Sequence, residues 1–142
     1  KEVSSTVGHN LMHNHPFAEN RFAQAKAHYR ALLTILEMGD MDGFSDLVEL
    51  EALSLHAMML TSTPYYILMH PNTIQIIQEV RRYRKTTGLH LTFTLDAGAN
   101  VHLLYPAHEA EKVDQFIASD LRKYCQDNEL IYDRVGTGLK KV

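Results

Sequence analysis

Residues 90–105, HLTFTLDAGANVHLLY, contain two runs of alternating or continuous apolar character joined by a short bend. In the first run Leu91, Phe93 and Leu95 point to one face of an extended chain, and Thr92, Thr94 and Asp96 to the other. Ala97 and Gly98 keep the bend clear of bulk, so residues 90–96 and 100–105 read as a β-hairpin. Asp96 stands at the end of the first strand, on its polar face. Taken by itself the stretch favours a turn, because Asp-x-Gly and Asn are ordinary turn residues. The sharper alternative is a carboxylate held at the edge of a binding cleft.

Reading outward from this hairpin gives the fold. Pro16 suits the first turn of a helix, in which Phe22, Ala25, Tyr29, Leu32, Leu33 and Leu36 recur at helical spacing until Gly39. Asp40 caps a second helix with Phe44, Leu47, Val48, Leu55 and Met59 on its apolar stripe. PYYILMH, residues 64–70, reads as a short strand. Asn72 with Gln75 resembles a capping box opening a third helix, which carries Ile76, Ile77, Val80 and Tyr83 and stops at Gly88. Pro106 opens a fourth, with Val113, Phe116, Ile117, Leu121 and Tyr124 on one face, and LIYDRV at 130–135 reads as a last strand. From residue 65 the order is β-α-β-β-α-β. The expected class is α+β, a split β-α-β (ferredoxin-like) antiparallel sheet with helices on one face, preceded by two extra helices.

The chain of 142 residues is read as one domain, long enough to build a core. A net charge of −3 argues against a nucleic-acid partner, and no apolar run approaches the length of a membrane span. Cys125 is the single cysteine, so no intrachain disulfide can form, which suits a reducing cytoplasm. The start at Lys1 is neither an initiator methionine nor a signal peptide, and the chain is expected to be part of a longer protein.

Other polar groupings have local explanations beside functional ones. VSSTVG, residues 3–8, either presents hydroxyl and N–H donors to a phosphate or caps a turn. His9, His13 and His15 cluster, but without a cysteine or HExxH pattern they predict no metal site. His56 reads as a packed or hydrogen-bonded residue. Glu51, four residues from both Leu47 and Leu55, needs a partner inside the fold or faces a cleft. Arg81, Arg82, Arg84 and Lys85 form a basic cluster at a helix C-terminus and read as a solvated face. GTGLKK, residues 136–141, lacks the spacing and following helix of a phosphate loop.

Together VSSTVG, LHAMMLTSTPYYILM (55–69) and FTLDAGANVHLL (93–104) resemble the C-terminal domain of mevalonate diphosphate decarboxylase, of the GHMP kinase superfamily. The resemblance spans essentially the whole chain and implies an ATP- and Mg2+-dependent enzyme. Such an enzyme phosphorylates the tertiary 3-hydroxyl of mevalonate 5-diphosphate, then loses phosphate and carbon dioxide to give isopentenyl diphosphate. It implies Asp96 as the catalytic residue. Ser5, with Ser4, is implied for substrate binding at the diphosphate, and Gly98 and Asn100 for the remaining substrate contacts. ATP and Mg2+ are implied to sit mainly on the enzyme's own N-terminal domain, which would precede Lys1, so the fragment is expected to be folded but inactive. The family's common homodimer is carried over as a possible state. Ala99 stands where the family's DAG-P-N motif usually has proline, and His9 where methionine is common. The alternatives are a superfamily kinase of a mevalonate derivative that does not decarboxylate, and a small-molecule-binding regulatory module.

Overall fold

The computed structural model describes residues 14–136. Its first helix, α1 (Ala18–Met38), ends where expected, at Gly39. Gly39 adopts φ 67°, a left-handed conformation in which glycine avoids the Cβ clash, and the Asp40 N–H reaches back to the Ile35 carbonyl at 3.1 Å. Asp40 then opens α2 (Met41–Leu60), its carboxylate accepting the Gly43 N–H at 2.9 Å. Such a cap contributes about 1 kcal/mol.

The third helix, α3 (Pro71–Thr87), starts differently from the sequence expectation. Pro71 lacks an N–H and has a helical φ, so the helix begins there and the cap falls one residue earlier, on His70. The His70 N–H donates to the Thr73 hydroxyl at 3.2 Å. Asn72, expected to cap, instead donates to the Tyr124 carbonyl at 3.0 Å.

The hairpin follows, with β1 (Thr92–Leu95) antiparallel to β2 (Val101–Leu104) and Leu95 opposite Val101 at the closed end. The last helix, α4 (Ala110–Phe116), continues through a wide π turn over Ile117–Leu121 and a tight 3-10 turn over Arg122–Tyr124. The class is the expected one, α+β with an antiparallel sheet and two leading helices. Ladder pairing among the described residues is confined to β1 and β2. Residues 65–70 form no strand; the Tyr66 N–H turns back to the Met59 carbonyl and closes the bend after α2. Residues 130–135 form none either: Leu130 packs against the core, but beyond it Ile131 and Val135 are 97% and 98% exposed.

Alternation along β1 divides the interior. Leu91, Phe93 and Leu95 enter a core built with Ile76, Ile77 and Val80 of α3 and Val113, Phe116, Ile117 and Leu121 of α4 and its extension. Thr92 turns the other way, toward α2, where its hydroxyl meets Glu49 at 2.9 Å. One leading helix therefore lies directly against the strand that leads into Asp96.

α1 departs from the expected packing. Arg21 and His28 both bond Glu51 of α2, which draws their face inward and turns the apolar row outward. Phe22, Tyr29, Leu33 and Leu36 are exposed, Tyr29 by 63%. No helix among the described residues is long and apolar enough to cross a membrane.

Candidate active site

The bend between β1 and β2 comprises Asp96, Ala97, Gly98, Ala99 and Asn100. Among the described residues, two side chains from outside the hairpin bond to it. His56 of α2 donates from Nε2 to the Asp96 carbonyl at 3.0 Å. A carbonyl only accepts, so Nε2 carries the proton. Thr73 of α3 donates its hydroxyl to the Ala99 carbonyl at 2.9 Å. Both side chains belong to residues only 2% exposed. The loop's backbone is thus held at either end by fixed, buried groups.

The Asp96 carboxylate is not held in the same way. Its Oδ1 is buried and has no hydrogen-bond partner among the described residues, the only such buried side-chain atom there. An unpartnered buried polar atom costs about 1–3 kcal/mol, more when charged, which is why native structures keep few of them. Gly98 makes the room: a Cβ built on it would lie 2.9 Å from Asp96 Oδ1. That space is filled by Oδ1 itself, while Asp96 as a residue is only half-buried, so the carboxylate stands at the edge of the fold with one oxygen enclosed and unbonded. Of the two explanations the sequence offered, the turn is observed: Asp96 opens the bend between β1 and β2.

Beneath the loop, β1 is tied to two helices by a buried ion pair. Arg84 donates to both oxygens of Glu49, at 2.5 and 3.1 Å, and to the Leu91 carbonyl at 2.8 Å. The hydrogen bond to Glu49 raises the Arg84 pKa against the opposing effect of burial. Arg84 therefore leaves the solvated cluster the sequence suggested, whereas Arg81 and Arg82 remain exposed and Arg82 pairs with Glu79. Glu51 pairs inside the fold, with Arg21 at 2.5 Å and with His28. Burial pushes the Glu51 pKa up, but the hydrogen bonds from Arg21 and His28 outweigh it and leave the carboxyl below its ordinary value.

Of the residues implied for the substrate, Asp96 and Gly98 come together in the loop, with Asn100 exposed at its far end. Ser4, Ser5 and His9 lie outside the described residues. A groove of about 470 Å3 runs between α1 and α2, lined by Phe17, Arg21, Ser54, Met58 and Thr61 among others, and none of its lining comes from the loop. His56 is packed and hydrogen-bonded, as the sequence suggested, with an acceptor the sequence did not identify. The parts played by Thr73 and Glu49 were missed.

Comparison with known proteins identifies the family. The family model for the mevalonate 5-diphosphate decarboxylase C-terminal domain matches residues 1–138. A phosphomevalonate decarboxylase from Haloferax volcanii is 28% identical over 98 residues, covering 69% of this chain and 30% of that protein. The crystal structure of a mevalonate diphosphate decarboxylase from Legionella pneumophila superposes with a TM-score of 0.79 at 30% identity, over 85% of this chain and 38% of that one. MDDEF, solved in complex with MVAPP, AMPPCP and magnesium, gives a TM-score of 0.79 over 87% of this chain and 38% of its own; at 22% identity it speaks for the fold alone. The chain spans well under half the length of these relatives. By its match along nearly its whole length, it belongs to the mevalonate 5-diphosphate decarboxylase C-terminal domain family.

Proposed function

We propose that this chain is the C-terminal part of an ATP-dependent enzyme that converts mevalonate 5-diphosphate to isopentenyl diphosphate. The Asp96 carboxylate, half-buried beside Gly98 on a loop held from two helices, carries the reading. A tertiary hydroxyl is a poor nucleophile, and a carboxylate in contact with it accepts or orients its proton during phosphoryl transfer. The same negative charge stabilises positive charge developing on the carbon as phosphate departs. ATP supplies the transferred phosphoryl group. Ser5, with Ser4, binds the diphosphate end, and Gly98 and Asn100 line the substrate.

No three His, Cys, Asp or Glu side chains converge to hold a metal ion among the described residues. The resemblance assigns ATP and magnesium mainly to the N-terminal domain of the longer enzyme. The cytoplasm is the compartment this reading implies, and the 142-residue chain alone is expected to turn over nothing.

The test uses the full-length protein with mevalonate 5-diphosphate, ATP and magnesium, following ADP and carbon dioxide together. Carbon dioxide equal to ADP, with both lost by about 10³-fold in Asp96→Asn, is expected, on the scale of removing a transition-state-stabilising group. Ser5→Ala should raise KM for the diphosphate. ADP without carbon dioxide makes the protein a superfamily kinase, and neither product refutes the reading. The Haloferax volcanii relative gives mevalonate 5-phosphate a place as the second substrate tested.

A further inference from the structure

The loop that carries Asp96 has little of its own to keep it in shape. Its ladder pairing ends at Leu95 and Val101, and no backbone–backbone hydrogen bond among the described residues joins positions 96 to 100. What reaches it are two side-chain bonds to carbonyl oxygens. We propose that His56 and Thr73 are positioning residues, which hold the loop so that the Asp96 carboxylate faces the substrate without touching substrate themselves. The proposal rests on the catalytic reading of Asp96.

Three points on the structure support it. Fixing the Asp96 carbonyl fixes the peptide plane that leaves Asp96, while β1 fixes the plane that enters it, so the direction of its Cα–Cβ bond is set. Fixing the Ala99 carbonyl sets the return path and keeps Gly98 against Oδ1. Both supports are themselves immobile. His56 lies on the face of α2 that also carries Glu49, which is bonded to Thr92 of β1. Thr73 uses its single proton toward Ala99 and accepts the His70 N–H on a lone pair, so its rotamer is determined from both sides.

The bonds are to backbone, so their loss should misdirect the carboxylate rather than remove it. Because Asp96 acts on the reacting hydroxyl, while the diphosphate is bound elsewhere, the effect should fall on kcat and spare KM. In the full-length enzyme His56→Leu keeps most of the volume and removes the donor; His56→Gln returns an N–H close to the position of Nε2. Misplacement of a reacting group by a fraction of an ångström to an ångström costs about 10- to 100-fold in kcat, and that fall is expected for His56→Leu with KM changed less than about threefold. His56→Gln should recover kcat to within about fivefold of wild type on the same scale. Thr73→Val should reproduce the kcat-specific loss and Thr73→Ser should not.

Backbone 15N relaxation separates this outcome from a general loss of structure. Order parameters of residues 97–100 should fall in His56→Leu and Thr73→Val, with those of Thr92–Leu95 unchanged. A folded His56→Leu with wild-type kcat overturns the proposal, as does a loss that His56→Gln fails to restore or that appears in KM. If His56→Leu does not fold, the Thr73→Val and Thr73→Ser pair decides by the same criteria. If wild type turns over neither substrate, the functional reading fails by itself, and the loop order parameters of the variants still decide whether these residues hold the loop.

Discussion

Replacing Arg84 by methionine tests the frame on which the site is built. Methionine keeps the aliphatic stem and removes the guanidinium, so Glu49 loses two charge-assisted bonds and the Leu91 carbonyl loses its donor. Glu49 keeps only the Thr92 hydroxyl, at 2.9 Å. The pair is largely withdrawn from water, with side chains 23% and 11% exposed, so screening discounts it only modestly. Breaking such a pair on one side costs about 3–5 kcal/mol, because a buried charge is left uncompensated. The partial exposure of Arg84 favours the lower end, about 3 kcal/mol. Unfolding entropy near 2.1 cal/mol/K per residue gives roughly 0.3 kcal/mol/K for this chain, so Tm should fall by about 10 °C. Urea denaturation of wild type, Arg84→Met, Glu49→Met and the double variant completes a cycle. The double variant should be more stable than Arg84→Met alone, since it buries no unpaired charge. A cost below about 1 kcal/mol for Arg84→Met, or a double variant that loses the sum of both singles, refutes the reasoning.

Gly98→Ala should leave stability within about 1 kcal/mol of wild type, because the new Cβ meets only the end of the Asp96 side chain, which can turn aside. That turn moves Oδ1, so kcat of the full-length enzyme should fall by about 10-fold or more. Glu51→Gln should cost no more than about 1 kcal/mol at neutral pH, given that its side chain is about a third exposed. The Glu51 pKa is lowered in the folded protein, so its contribution is present above the unfolded carboxyl value near 4.3 and disappears as pH falls through the lower folded value. Thermal unfolding of both proteins between neutral and strongly acid pH should therefore show curves that converge on the acid side.

What could be read from the sequence was set by local chemistry. Gly39, Gly88 and Asp40 mark helix ends because a left-handed residue and a short carboxylate do the same work in any protein. The hairpin was legible from the small residues of its bend and the alternation before it. Residues 65–70 and 130–135 have strand-like composition, but composition does not supply a neighbouring strand to bond with. The outward row of α1 was misjudged because Arg21 and His28, bonded to Glu51, decide which side of that helix turns inward. At the site, type and spacing marked Asp96 and Gly98 as turn residues, and the resemblance singled them out as candidates. Their supports were not marked, since His56 and Thr73 bond to carbonyl oxygens 40 and 26 positions away. A sequence does not show which carbonyl will lack a ladder partner.

That choice of acceptor bears on how the loop can change by descent. A carbonyl oxygen is common to all twenty amino acids, proline included, so the grips of His56 and Thr73 are indifferent to the side chains at Asp96 and Ala99. Proline, usual in the family at position 99, stiffens the bend through its ring, yet its carbonyl would present the same acceptor to Thr73. Exchanging it for Ala99 gives up that rigidity while the external hold remains. The side chains of the bend can thus vary on a path whose course is inherited from the helices behind it.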